Sequence, residues 1–385
     1  MTSTDILEAI GKVDEAGAAS GVVSEGDGLM LALQTYGAQD DYMWRSAERD
    51  GNQKRGVYWD SRELFLRDRH VVAYRPLPVS RGGQDPEEVV LTLERASDLV
   101  GGVDLMLHDP DRLGVAGILR SVVVEIGGQQ IDAWRCWHAD GLAAADADAA
   151  GDAFATLVTT VAGLHGRAVT RSGDALFVPL ALAPFHDHNL LPLVALKYHP
   201  VKFRVRFAAS YVSQGLQTRA ALHGDQYMLD AAGRLKAVQN PLRIGVAQTQ
   251  SSEGFRTVEG GGEASQALCL NHPIRTLFFW GFDVATVTRV RLTLDGAPFY
   301  DGPVEPLERL KAVRGLGHLE PTALFFAREP ANSPFQSTVN FSRVDRAVLH
   351  ITTAPGTPAR HVFVAAISVQ PMNFAGGMAG LSFSK

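Results

Sequence analysis

Two short stretches, almost half a chain apart, are built the same way. Ser121-Val122-Val123-Val124-Glu125-Ile126 runs into Gly127-Gly128, and Arg289-Val290-Arg291-Leu292-Thr293-Leu294 runs into Asp295-Gly296. Each is a strand-forming segment closed by a dipeptide that tolerates the positive φ of a two-residue hairpin turn. The turns lie 168 positions apart (296 minus 128) in a chain of 385 residues. A jelly roll is eight strands in two packed sheets, and strands of about five or six residues with their loops fit within such a half. The spacing predicts an all-β protein: two tandem eight-stranded antiparallel jelly rolls with short helical insertions.

Length agrees, because 385 residues exceed what one ordinary core serves and favour two domains. Val201-Lys202-Phe203-Arg204-Val205-Arg206-Phe207 alternates with period two, placing Val201, Phe203, Val205 and Phe207 on one face and three basic residues on the other. That is a half-buried antiparallel strand, whose basic stripe is expected to be solvated or paired with acidic neighbours rather than phosphate-binding. With 46% hydrophobic and 20% charged residues the chain is globular, and 38 Gly and 19 Pro make it rich in loops.

Asp5 to Val13 reads as one short helix with Asp5 and Glu8 as a capping pair, followed by Gly-, Ala- and Ser-rich sequence to Gly28. Residues 1–27 are expected to form an N-terminal arm, 28–214 the first jelly roll, 215–223 a linker and 224–385 the second jelly roll. Gly141 to Leu164 has strong helix preference but a poor apolar stripe, which suggests a helical insertion between strands. Gln214 to His223 is a second short helix candidate.

A net charge of −6 gives no electrostatic reason to bind nucleic acid directly. Cys136 and Cys269 make neither a zinc spacing nor a disulfide framework, which fits a reducing compartment. Met1 to Asp5 lacks the basic start and apolar core of a signal peptide, and Ala153 to Leu164 falls short of the roughly 20 residues that span a bilayer. Secretion and membrane insertion are not expected.

Several ordered blocks resemble the major capsid proteins of nucleocytoplasmic large DNA viruses, the family of algal viruses, iridoviruses and giant amoebal viruses. Gly28-Leu29-Met30 to Gly37-Ala38-Gln39-Asp40 and Leu93 to Leu99 are similar to the start of its first barrel. Glu125-Ile126-Gly127-Gly128-Gln129-Gln130-Ile131-Asp132 resembles its most recognisable hairpin, and Leu191 to His199 the strand closing that barrel. In the second half Leu270 to Arg275 with Phe278-Phe279-Trp280, Val339 to Asp345, and the closing Gly376-Gly377-Met378-Ala379-Gly380-Leu381-Ser382-Phe383 look like family signatures. Ala183 to His188 and Asn332-Ser333-Pro334-Phe335-Gln336 depart from the family pattern, Trp44 to Glu63 looks inserted, and Phe299 to Ala323 is short.

The resemblance implies assembly rather than catalysis. It implies a virion capsid subunit, assembled in the host cytoplasm, that forms a homotrimer packed as a pseudo-hexagonal capsomer and tiles an icosahedral shell. Its partners would be itself, neighbouring capsomers and minor capsid proteins, with contact to an internal membrane through the shell and none to nucleic acid. The alternatives are a minor double jelly-roll component or, in another class, a jelly-roll carbohydrate-binding protein or hydrolase.

No catalytic, cofactor-binding or metal residue is assigned. His186-Asp187-His188 with His199 is an incomplete ligand set. Asn340-Phe341-Ser342 is a formal glycosylation sequon inside a strand motif, where a structural asparagine is the better reading. Gly260-Gly261-Gly262 and Gly315-Leu316-Gly317 fit no nucleotide-binding spacing and are read as loops. Trp134, Trp137 and His138 would have to be exposed to form a sugar platform; a core or interface patch is expected instead. The closing Gly376 to Phe383 run is expected to fold back and bury Met378, Leu381 and Phe383.

Overall fold

The computed structural model describes residues 71–83, 85–136, 144–185, 190–229, 231–239, 242–326 and 338–383. The expected N-terminal arm and its helix, the Trp44 to Glu63 insertion, His186 to His188, Trp137, His138 and Asn332 to Gln336 lie outside the described residues.

The first half contains β1 (Val71–Pro76), β2 (Val79–Gly82), β3 (Glu88–Leu93), β4 (Leu99–His108), β5 (Leu119–Ile126), β6 (Gln129–Arg135), β7 (Thr170–Ser172), β8 (Ala175–Pro179), β9 (Leu191–Pro192), β10 (Val201–Phe207) and β11 (Ala221–Met228). One sheet has the order β1-β11-β4-β8-β7, with β9 also on β4, and the other β2-β3-β10-β5-β6. The second half contains β12 (Leu242–Arg256), β13 (Gly262–Ala267), β14 (Pro273–Trp280), β15 (Val287–Leu294), β16 (Ala297–Gly302), β17 (Thr322–Phe325), β18 (Val339–Asn340), β19 (Ala347–Thr353), β20 (His361–Ala375) and β21 (Met378–Leu381). Its sheets run β12-β20-β14-β17, with β18 on β14 and β21 on β20, and β13-β19-β15-β16.

The two halves repeat one another strand for strand. In β1-β11-β4-β8 the first, last and middle strands of the half lie in the same order as in β12-β20-β14-β17, and β3-β10-β5-β6 matches β13-β19-β15-β16. Four strands facing four, with the crossovers of two Greek keys, is a jelly roll. The molecule is therefore a double jelly roll, and β2, β7, β9, β18 and β21 are additions to the shared plan.

The two hairpins that announced this plan occupy equivalent places, β5-β6 and β15-β16, each at one edge of its sheet. Gly127 and Gly128 have φ of 60° and 85°, and Asp295 and Gly296 have φ of 51° and 83°. Both pairs thus have the left-handed backbone that a type I′ turn demands. Asp295 bears this without glycine's freedom because its Oδ1 accepts from the Arg346 N–H at 2.8 Å while its own N–H donates to the Arg346 carbonyl.

In β10 the alternation holds, with Val201, Phe203, Val205 and Phe207 buried. Its basic stripe is paired: Arg204 bridges Glu125 at 2.7 Å and Glu88 at 3.0 Å on the two flanking strands, and Arg206 meets Glu87 at 3.1 Å. Cross-strand acidic neighbours, not phosphate, answer the charge.

Three expectations need correction. The linker was placed at 215–223 and the second barrel from 224, but β11 spans that boundary and pairs with β1 and β4 of the first half. The changeover instead falls between Met228 and Leu242, around helix Ala231–Gln239. Gln214 to His223 does not form one helix; a 3-10 turn at Leu216–Arg219 leads into β11, whose buried Leu222 and Gly224 follow strand rather than helix periodicity. The segment with the poor apolar stripe forms the longest helix described, Ala144–Leu164, and it is buried on several sides at Ala153, Phe154, Leu157, Val158, Val161 and Leu164. A helix sandwiched between two bodies shows no single stripe, because no single face is its inside.

Helices are numbered α1 (Gly114–Ile118), α2 (Ala144–Leu164), α3 (Ala209–Ser213), α4 (Ala231–Gln239) and α5 (Glu305–Val313).

Candidate assembly surface and the seam between the halves

Alternation along the second half's longer sheet divides its side chains between two cores. In β20, Val362, Val364 and Ala366 face the interior of their own barrel, whereas Phe363, Ala365, Ile367 and Val369 belong to the cluster shared with the first half. In β14, Ile274, Leu277 and Phe279 point inward, and Phe278 and Trp280 point to the shared side. All eight residues of β14 are consequently buried. An antiparallel sheet buried on both faces needs a cover, and the first half provides it through β6 and α2.

At β6 the cover is hydrogen-bonded. Asp132 is fully buried; its Oδ1 accepts from the Thr249 N–H at 3.0 Å and the Ala133 N–H at 2.8 Å, and its Oδ2 from the Ala183 N–H at 3.0 Å. Trp134, also fully buried, donates from Nε1 to Thr249 Oγ1 at 3.1 Å. Gln248 donates to the Ile131 carbonyl and accepts from Gln370, while Gln250 Nε2 donates to Ser368 Oγ at 2.8 Å and the Asn271 carbonyl at 2.7 Å. The bonds from Asp132, Trp134 and the Ile131 carbonyl to Thr249 and Gln248 cross between the halves and fix a register that apolar contact alone would let slide.

At α2 the cover is mostly apolar. Phe154, Leu157, Val158 and Val161 belong to the same cluster as Leu316, Leu319 and Ala323 of the second half, and Thr156 Oγ1 donates to Glu320 Oε2 at 3.0 Å. Gly163 lies so close that a Cβ there would stand 2.6 Å from Leu319 Cδ2.

A third tie is the closing hairpin. Tyr198 N–H donates to the Gly377 carbonyl at 2.9 Å, His199 Nδ1 lies 2.9 Å from the Ala379 carbonyl oxygen, and Leu381 N–H donates to Gln129 Oε1 at 3.1 Å. The tail folds back as expected, but of its three large side chains only Leu381 packs against the core, and that partly: Met378 is 48% and Phe383 38% exposed, while Ala379 is buried. Backbone bonds and the glycines' close approach do the docking.

His199 Nδ1 engages the Ala379 backbone, and among the described residues, which leave out His186 to His188, no group of three or more His, Cys, Asp or Glu is placed to hold a metal ion. Asn340 is buried and its Oδ1 accepts from Ser342 N–H at 3.0 Å, a structural role. Gly260 and Gly261 have positive φ in the loop before β13, Gly262 has positive φ as the first residue of β13, and Gly315 has φ of 74° just beyond α5. Trp134 is core. Among the described residues no helix is long and apolar enough to cross a membrane.

The outer face of the first half's equivalent sheet is different. Tyr74, Asp104, Phe177 and His223 lie there, with Tyr74 donating to Asp104 Oδ2 at 2.8 Å, Arg167 paired to Asp104 at 2.7 Å, and His223 stacked on Tyr74 and edge-on to Phe177. Burial and the Asp104 carboxylate push the Tyr74 hydroxyl well above its ordinary range, and burial lowers His223. Tyr74 remains 51% exposed, in a face whose counterpart in the second half is closed.

The polar row and Asp132 escaped sequence reading. The signal was present: Gln248-Thr249-Gln250-Ser251-Ser252 is a polar run inside a strand with no alternation, and Asp132 closes the hairpin motif already singled out.

No protein-family model matches the chain. A relative in Pyramimonas orientalis virus, a "Major capsid protein", is 25% identical over 415 residues, spanning 93% of this chain and all of the relative. The chain is thus similar in sequence to a viral major capsid protein and similar in fold to double jelly-roll capsid proteins. Among solved structures, the PBCV-1 virus capsid superposes with a TM-score of 0.62 at 18% identity, covering 82% of this chain and 97% of that one. The Faustovirus major capsid protein gives 0.52 at 9% identity, covering 96% and 97%. A major capsid protein is a structural component of the virion.

Proposed function

We propose that three copies of this capsid protein close into a pseudo-hexagonal capsomer, six barrels around a threefold axis, and that such capsomers tile the shell with minor capsid proteins at their joints. The observation that carries this reading is the seam. Two barrels of one topology are locked side by side by Asp132, Trp134, α2 and the closing hairpin, so one chain supplies two successive, fixed positions of a ring. Head-to-tail repetition of one contact builds closed rings when the rotation allows it. The two free cysteines, Cys136 and Cys269, stand in different halves and suit assembly in a reducing host cytoplasm.

Sedimentation of the purified chain across micromolar concentrations tests the reading. A trimer is expected, and a monomer throughout that range refutes it. A sugar-binding role finds less support, because buried Trp134 offers no platform.

A further inference from the structure

We infer that His223 works as a proton-operated latch on the edge strand β1: neutral, it holds that strand to its sheet through Tyr74, and protonated it lets go. The latch lies within one chain and stands whether or not copies associate. Among the described residues β1 pairs with β11 alone, at the edge of its sheet. A strand held by one neighbour belongs to the more easily opened parts of a fold. Tyr74 adds a side-chain tie that reaches past β11, its hydroxyl donating to Asp104 Oδ2 on β4 at 2.8 Å. His223 stands on β11 between those two strands. Its ring stacks on Tyr74 with centroids 6.0 Å apart and planes at 22°, and it meets Phe177 of β8 edge-on at 5.6 Å. Its Nδ1 is buried and, among the described residues, has no hydrogen-bond partner.

The charged and titratable groups on this face come from each strand in turn. β1 brings the Tyr74 hydroxyl, β4 brings Asp104, and β8 brings only the uncharged Phe177. On β11 itself Asp225 lies over Gly102, where a Cβ would stand 2.8 Å from its Oδ2, and the segment after α2 brings Arg167, paired to Asp104 at 2.7 Å. Asp104 is thus already shared between Tyr74 and Arg167. A neutral imidazole suits such a place, because one ring nitrogen stays a bare acceptor. Protonation puts N–H on both nitrogens, makes buried Nδ1 a donor with no acceptor, and adds a cation attracted to Asp104. The ring then either moves out to water, which ends the stack, or takes Asp104 from Tyr74, which ends the tie. Both routes release the Tyr74 side chain.

The direction in pH follows from burial, which lowers the His223 value against the opposing pull of Asp104. With the closed-state value below the open-state one, the open strand binds more protons. The latch is therefore fully engaged above the ordinary histidine value of about 6.5 and is lost as pH falls through the closed-state value.

Hydrogen exchange read by mass spectrometry on the full chain tests the latch, in peptides covering Val71–Pro76, at about pH 7.5 and about pH 5.5, on either side of the histidine range and above that of ordinary carboxylates. After correction for intrinsic exchange, protection of β1 should fall several-fold at the lower pH while peptides from β12 and β20 hold theirs. His223→Phe keeps an aromatic ring in the stack without a titrating nitrogen and should leave β1 equally protected at both values. His223→Gln, a smaller side chain that also takes up no proton, is measured beside it, and the melting temperature of each variant at the higher pH checks that it folds. Unchanged β1 protection in the parent chain, the same acid loss in a variant that folds, or an equal loss across β12 and β20 would each overturn the inference.

Discussion

Trp134 and Thr249 meet inside the molecule, the indole N–H of one barrel 3.1 Å from the hydroxyl oxygen of the other. They mark the centre of a seam in which polar atoms are buried and matched across two separately closed barrels. The neighbouring Asp132 gathers three backbone N–H groups, one of them Thr249's.

Replacing Asp132 with Ala leaves those buried donors without an acceptor, at about 1–3 kcal/mol each before relaxation. The expected loss is about 3 kcal/mol or more, seen as a clearly lower thermal midpoint. Trp134→Phe keeps most of the volume, loses one hydrogen bond, and should cost about 1 kcal/mol beyond the smaller ring's lost contact. Equal midpoints for D132A and the parent chain would show that the seam's polar row contributes nothing.

Phe154 on α2 is fully buried in the core cluster that spans both halves. Phe154→Ala should cost about 3–5 kcal/mol, the range for emptying a phenyl site in a packed core. Differential scanning calorimetry is the readout, and separation of one transition into two would show that α2 couples the barrels.

Acid stability should depend on Asp109. Burial pushes its carboxyl up, but hydrogen bonds from Arg171 and from the Gly114 and Leu113 N–H groups outweigh that and hold it below the usual carboxylate range. With the folded value below the unfolded one, the unfolded chain binds more protons in between. The contribution is therefore complete above the unfolded value of about 4 and is lost as pH falls through the folded value. Asp109→Asn should lower the neutral-pH midpoint and flatten the melting-temperature profile below about pH 4. A variant whose acid limb parallels the parent's would rule this out.

Thiol reactivity should separate the two cysteines. Cys269 is exposed, whereas Cys136 donates to the Ala150 carbonyl and burial pushes its thiol up. One equivalent should react quickly with an aromatic disulfide near pH 8 and the second only on unfolding. Two fast equivalents would mean that the contact between Cys136 and α2 opens freely.

Legibility followed locality. The two I′ hairpins, the alternating β10 and its paired arginines were readable because turn chemistry and period two are set by neighbours in sequence. Helix α2 was found, but its role was not: Phe154 and Val158 look like weak amphipathicity until a second barrel is placed against them. The polar run from Gln248 to Ser252 reads as solvent-facing, yet Gln248 and Thr249 are buried and hydrogen-bonded to β6. The barrel boundary failed for the same reason, since β11 is assigned by partners more than a hundred residues upstream. What the sequence hid was contact between the halves, which no local pattern encodes.

The closing hairpin separates two accounts of why a chain end stays ordered. If apolar burial held it, Met378 and Phe383 would be inside; they are half exposed, and the backbone groups of Gly377, Ala379 and Leu381 instead hydrogen-bond to the Tyr198 N–H and to the His199 and Gln129 side chains of the other barrel. Gly377 has φ of 83°, and a Cβ there would stand 3.0 Å from both Lys197 Cβ and Tyr198 Cδ2. Gly377→Val therefore combines left-handed strain with a clash and should cost about 2 kcal/mol or more. Met378→Ser, by contrast, removes a side chain already in water and should change the midpoint by less than about 0.5 kcal/mol. Deleting residues 376–385 removes β21 and all three cross-barrel bonds, at about 1 kcal/mol each, so its midpoint should fall by at least as much as that of Gly377→Val. A Met378→Ser variant that melts as low as the truncated chain would return the apolar account to favour.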